Sequence, residues 1–244
     1  MKIAVTGCYG RMGQRITALA VEDPQLEVVT LLERKEHPDA GKPLQGLPVC
    51  SEREALAQNG AEVLIDFTAP DATVANARYC AGKGIAMVIG TTGFNEKHVN
   101  ALQECAQSIP MVIGSNMSVG VNVLFKLAEV LARSLPEIYR AGITEAHHIH
   151  KKDSPSGTAK TLAAVIEQFS DPKRTVPWDE IEAIREGEII GDHDVVFEGP
   201  DDAITIRHHA KNRDIFAKGS LVAAKFLAAK EPRVYTMQEV LNLK

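Results

Sequence analysis

"KIAVTGCYGRMGQRITALAV", Lys2 to Val21, puts an apolar run, three glycines and a helical repeat into one stretch. Residues 2–6 have the continuous apolar character of a strand covered on both faces, and a helix is predicted from about Arg11 to Val21. Gly7, Gly10 and Gly13 fall at the turn between them. The same alternation continues outward. "LEVVTLLE", "EVLIDFT", "IAMVIGTT" and "MVIGS" read as further buried strands, with helical patterns in "DATVANARYCAGKG" and "NEKHVNALQECAQS". Apolar strands separated by helices predict a parallel sheet covered on both sides, a Rossmann-like doubly wound α/β fold ending near Ser118.

The pattern then changes. "VGVNVLFKLAEVLARSL" is a strong helix and "YRAGITEAHHIH" a strand; a further helix starts at the Ser-Gly-Thr turn and fades before Asp171-Pro172. From Val176 to about Ala210 the chain reads as extended segments joined by turns, which makes the second part α+β. The expected organisation is residues 1–118, rejoined by 213–244, and a second domain over 119–212.

The glycines are spaced GxxGxxG, with Tyr9 where the middle glycine of the usual GxGxxG dinucleotide loop would fall. By itself this is a weak signal. Its setting is stronger, because Glu33 closes the second strand about twenty residues on, where a carboxylate accepts hydrogen bonds from a ribose. Arg34 follows and suits a 2′-phosphate, so NADH and NADPH are both expected cofactors. "DFTAP", "GTTGF" and "GSNMS" end later strands and, along one sheet edge, form the rim of a pocket.

A net charge of -5 gives no global basic field for nucleic acid. The four cysteines form no CxxC pair, and reduced thiols are expected. No apolar run is long enough to span a bilayer, and the N-terminus does not read as a signal peptide, so a cytoplasmic protein is expected. Tyr79 and Lys83 match a YxxxK spacing by coincidence, being too early in the chain and without a matching serine. "SPSGTAKT" lacks the leading glycine and the adjacent Gly-Lys-Thr of a phosphate loop. His147, His148 and His150 are not expected to bind metal: on a strand, neighbours 147 and 148 point to opposite faces. His193, His208 and His209 are expected to be structural or peripheral.

"EAHHIHKKDSPSGTA", Glu145 to Ala159, resembles the signature of the 4-hydroxy-tetrahydrodipicolinate reductase (dihydrodipicolinate reductase) family. "VTGCYGRMGQ", "LLER", "IDFTAP", "VIGTTGF", "SNMSVGVNVLFKL", "GDHDVVFEGP" and "RDIFAKGSLVAAKFL" resemble that family's segments in the same order. Ile149 at a commonly basic position, the added Lys152 and short regions near Cys50 and Pro172 depart from the pattern. The resemblance implies His147 as acid/base, Lys151 as proton donor, and His148, Gly157 and Thr158 as substrate contacts. It implies cofactor contacts at Gly7, Cys8, Tyr9, Gly10, Arg11, Met12, Glu33, Arg34, Gly90, Thr91, Thr92, Gly114, Ser115, Asn116 and Met117. It also implies a small cyclic dicarboxylate substrate and a homotetramer assembled through the second domain's sheet.

The chemistry of these residues agrees with that expectation. A dicarboxylate needs a cation and N–H donors, which Lys151 and the start of the Gly157-Thr158 helix supply. Protonating an enamine-like intermediate suits an imidazole. Ser156 and Pro155 shape the turn, and Asp153 is expected to cap or orient. Hydride transfer between two such domains predicts hinges near Ser118 and Arg213. Two other readings fit the glycine loop: a reductase of another imine or keto diacid, and a dinucleotide sensor without hydride transfer.

Overall fold

The computed structural model describes residues 1–243. They divide into two compact units, residues 1–118 with 216–242 and residues 119–215. In chain order the elements are β1 (Lys2–Thr6), α1 (Arg11–Glu22), β2 (Glu27–Leu32), β3 (Val49–Cys50), α2 (Glu54–Gln58) and β4 (Val63–Asp66). They continue with α3 (Pro70–Ala81), β5 (Ala86–Ile89), α4 (Glu96–Cys105), β6 (Met111–Ile113), α5 (Val119–Ser134), β7 (Arg140–His147) and α6 (Gly157–Phe169). The last are β8 (Glu182–Arg185), β9 (Asp192–Glu198), β10 (Ala203–His209), α7 (Asp214–Phe226), β11 (Val234–Tyr235) and α8 (Met237–Val240).

The first unit is a seven-stranded parallel sheet in the order β11-β6-β5-β4-β1-β2-β3. Successive strand residues point to opposite faces. Ile3 and Val5 of β1 therefore join Ile16 of α1 and Ala217 and Leu221 of α7 in one core layer. Ala4 faces the other layer, with Leu64, Met87, Ala77 and Leu102. Both faces being covered explains the unbroken apolar strands of the sequence. Pro70 opens α3 at a position where its missing N–H is no loss, and α4 carries a capping box between Asn95 and His98.

The sequence reading overlooks β3, α2 and β11. Strands of two residues show no alternation, and a five-residue helix has too few turns for a periodic apolar face.

The second unit is a four-stranded mixed sheet, β10-β9-β7-β8, in which only β7 and β8 are parallel. Its apolar core joins Ile143, Val195 and Phe197 to Val121, Leu124 and Leu162 of α5 and α6. The buried residues alternate along β7 and β9, as expected for a sheet with one covered face. On that covered face, Ile143 pairs with Val195, which lies opposite Ile206. Two residues further along, Glu145 pairs with His193, which lies opposite His208. One continuous face thus passes from aliphatic to titratable within a single pleat.

One expectation needs correction. β7 ends at His147, so His148 and His150 lie in the turn that follows and not on a strand. The opposite-faces argument therefore does not apply to them. Among the described residues, no three His, Cys, Asp or Glu gather as a metal-binding group. No described helix is long and apolar enough to cross a membrane.

Candidate active site

In the first unit the loop after β1 is shaped by close approach. Gly7 has φ +65°, and a Cβ there would lie 2.9 Å from the Thr68 side chain. A Cβ at Gly13 would meet the Gly7 carbonyl oxygen at 2.2 Å, so α1 packs against its own entry loop only because position 13 is bare. Gly10 is the extended N-cap of α1. The Tyr9 N–H donates to Glu33 Oε2 at 3.3 Å, tying the loop to the end of β2, and the Tyr9 ring stacks on His37 at 4.8 Å.

A pocket of about 420 Å³ opens beside this loop. Gly7, Gly10, Glu33 and Arg34 line it, together with Arg53 and Thr68. The other expected cofactor positions are not among its lining. Cys8 is buried in the core, and burial with the Glu33 charge nearby pushes its thiol up to about 12. Met117 is core as well. Thr92 and Ser115 are exposed, and Gly114 and Asn116 are half-buried at the end of β6. Arg11 is exposed and Met12 packs against the core.

Below the pocket lies a polar cluster around Asp66, which is fully buried. Asp66 Oδ1 accepts from the Thr68 N–H and from the hydroxyls of Thr68, Thr73 and Thr91, at 2.6–3.2 Å. Asn76 donates to Oδ2 at 2.9 Å and accepts from Arg53 Nε at 2.6 Å. Thr91 thus serves through its side chain as a brace between strand ends, and leaves Gly90 and Thr92 as neighbours on the same edge.

In the second unit a buried carboxylate organises the signature stretch. Glu145 Oε1 accepts from Arg185 Nη2 at 2.8 Å and from the Ser156 N–H at 3.1 Å. Its Oε2 accepts from Arg185 Nη1 at 3.1 Å and bonds to His147 Nδ1. Burial alone would raise this carboxyl, but the hydrogen bonds from His147 and Arg185 outweigh it and hold the group at about 2. His147 is buried to 8% exposure, and its ring meets His193 edge-on at 5.2 Å. Burial, with His147 beside it, pushes His193 down to about 3, so it is neutral at neutral pH. His193 Nε2 lies 3.2 Å from the Ser156 hydroxyl, which also accepts from the Ala159 N–H and so caps α6.

That cap is Ser156 and not Asp153. Asp153 instead holds Lys151 Nζ with both oxygens at 2.8 Å. Ser156, Ala159 and Lys160 all have protein acceptors for their N–H groups, whereas the Gly157 N–H has none among the described residues. His148 is half-buried, with no partner for Nδ1 among the described residues. The structure brings His147, Lys151 and the Gly157-Thr158 end of α6 to one end of the sheet in this unit.

The comparisons with known proteins agree over the whole chain. The model of the dihydrodipicolinate reductase N-terminus matches residues 1–117, and that of its C-terminus matches residues 120–241. The chain belongs to the dihydrodipicolinate reductase family. The 4-hydroxy-tetrahydrodipicolinate reductases of Nitrosomonas eutropha and Aquifex aeolicus are each 40% identical, with 100% of this chain and 99% of theirs covered. A dipicolinate-bound dihydrodipicolinate reductase from Paenisporosarcina sp. TG-14 has the same fold, with TM-score 0.83 at 23% identity and 98% of each chain covered.

Glu145, Arg185 and His193 surround His147 and were not among the expected site residues. Glu145 had a legible signal: residues two apart on a strand share a face, so a glutamate two before His147 reaches its ring. Arg185 had none, because β8 is short and its parallel pairing with β7 is not written locally. His193, expected to be structural or peripheral, is buried and packs edge-on against His147.

Proposed function

We propose that the chain reduces 4-hydroxy-tetrahydrodipicolinate to tetrahydrodipicolinate with NADH or NADPH, a step of diaminopimelate and lysine synthesis. The observation that carries this reading is the gathering of His147, Lys151 and the start of α6 in a chain that matches the family from end to end.

The first unit fits a dinucleotide. Its glycine loop leaves a cradle that a Cβ at Gly7 would crowd, and Glu33 and Arg34 line the pocket beside it. Gly7 to Met12 hold the pyrophosphate, Glu33 and Arg34 the adenosine ribose, and Gly90 to Thr92 with Gly114 to Met117 the nicotinamide end. The bound nicotinamide supplies the hydride.

The residues of the second unit do the rest. Lys151 and the N–H groups of Gly157 and Thr158 hold the substrate carboxylates, with His148 beside them, where the positive end of the helix favours anions. His147 gives a proton to the ring carbon next to the one reduced, with Lys151 as the nearby cationic donor. Neutral His193 adds no charge to repel a protonated His147. The protein works in the cytoplasm as a homotetramer built through the second unit's sheet. The outward-facing Thr205, Arg207 and His209 of β10 are consistent with an assembly face.

The test is direct. The unstable substrate is made in the cuvette from pyruvate and aspartate semialdehyde by a separate synthase, and NADH and NADPH absorbance is followed. Protein-dependent oxidation is expected with both. His147→Gln is expected to lower kcat about 10²- to 10⁴-fold and leave dinucleotide affinity unchanged. No oxidation in the wild type, with dinucleotide binding intact, would move the reading to another substrate.

A further inference from the structure

His147 has two ring nitrogens, and only one of them can exchange a proton with a substrate. Glu145 settles which. Its carboxylate is buried, bidentate with Arg185, and fixed by the Ser156 N–H at the start of α6. Two other elements, β8 and the start of α6, therefore hold it in place, and it cannot turn away from the ring. An ionised carboxylate only accepts, so His147 Nδ1, bonded to Glu145 Oε2, must carry the hydrogen. In the neutral ring Nε2 is then bare, ready to take up or to have delivered a proton. Just before β9, Gly191 lies beside that nitrogen: a Cβ there would come to 3.0 Å from His147 Nε2 and 3.4 Å from Cδ2. Gly191 has no positive φ that demands glycine, so the missing side chain is explained by the space it leaves at Nε2.

We propose that Glu145 is a positioning residue for the reduction: held by Arg185 and Ser156, it fixes His147 as the Nδ1–H tautomer, which makes Nε2 the nitrogen that exchanges the proton, and Gly191 keeps that nitrogen uncovered. The proton leaves Nε2 of the imidazolium for the substrate carbon and the neutral Nδ1–H ring remains; solvent returns the proton. The proposal rests on the reading of His147 as the acid. The charged and titratable groups around the ring are Glu145 on β7, Arg185 on β8, His193 on β9, and His148, Lys151 and Asp153 in the turn after β7. Of these, only Glu145 makes a hydrogen bond to the His147 ring among the described residues.

The experiment is long-range proton–nitrogen correlation NMR on the full chain with ¹⁵N-labelled histidine, with the His147 signals assigned by their loss in His147→Gln. The neutral wild-type ring is expected to show a protonated Nδ1 and a bare Nε2. A wild-type ring protonated at Nε2 overturns the proposal, and this arm needs no variant to fold. In Glu145→Gln the amide can donate to Nδ1 and let the ring reverse. The tautomer is then expected to change, with kcat about 100-fold lower and dinucleotide Kd within about threefold. Folded Glu145→Gln with near-normal kcat, while His147→Gln is inactive, sinks this inference alone. Active His147→Gln sinks the reading beneath it. Gly191→Ala is expected to keep the Nδ1 proton signal and lose about tenfold or more in kcat; unchanged kcat removes Gly191 from the proposal.

Discussion

Each unit buries one carboxyl group at the end of a strand, and the two are satisfied in opposite ways. Asp66 in the first unit is surrounded by hydroxyls, an amide and a backbone N–H. Glu145 in the second has an arginine and a histidine as partners. Neutral dipoles around a carboxyl fix loops and respond little to solution conditions. Ionisable partners couple the local structure to protons. The buried carboxyl of the first unit is therefore held by neutral donors, and that of the second by ionisable side chains.

The contrast is sharpest in acid. His193 has its pKa depressed to about 3, and the unfolded chain protonates such a group near its ordinary 6.5. Between these values the unfolded state binds more protons, so this contribution is present above pH 6.5 and is lost as pH falls toward 3. Its full loss is roughly 5 kcal/mol. Glu145, depressed to about 2 from 4.5, adds a second loss that begins below pH 4.5 and is complete near 2. The single tryptophan, Trp178, lies in the second unit, so its fluorescence reports that unit. Its transition is expected at higher pH than loss of amide protection in β1, β4 and β5. Coincident transitions would erase the distinction drawn here.

A smaller effect tests the neutral cluster. Asp66→Ala strips the Thr68 N–H, Thr73, Thr91 and Asn76 of their shared acceptor, with an expected loss of about 3 kcal/mol in urea unfolding. A loss under about 1 kcal/mol would show that the hydroxyls and Asn76 find other acceptors.

The smallest effect concerns the cradle itself. Arg53 lines the pocket with Glu33 and Arg34 and is steered by Asn76. Arg53→Ala is expected to weaken NADPH binding about tenfold and NADH much less, as for loss of one phosphate-facing cation. Equal losses for the two dinucleotides would assign Arg53 to the shared part of the ligand.

The two regions also differ in how far they can be read from sequence. The glycine loop, the buried strands and Glu33 are all local, and the periods of strand and helix announce them. Asp66 was visible only as part of a strand-end turn, since its partners Thr73, Asn76 and Thr91 lie on other elements. The histidine stretch was legible as chemistry but not as geometry. Its strand stops at His147, three residues before the pattern suggests, and the N–H groups of the turn bond elsewhere: Ile149 to Gly187 and Lys151 to His148. Arg185 and His193 reach the site through sheet register, which no local pattern encodes.

The order of synthesis gives the discontinuous first unit a further meaning. Its core holds Ala217, Leu221, Ala224, Tyr235 and Met237 beside Ile3, Val5 and Ile16, and β11 lies outside β6 at the sheet's end. A ribosome therefore releases the whole of residues 119–215 before the layer begun by the first strand can close. The segment made in the middle has all its core partners close in sequence and can be complete while the opening segment still waits for the last. For the growing chain, the core of residues 119–215 can close before the last strand and helices reach the first unit.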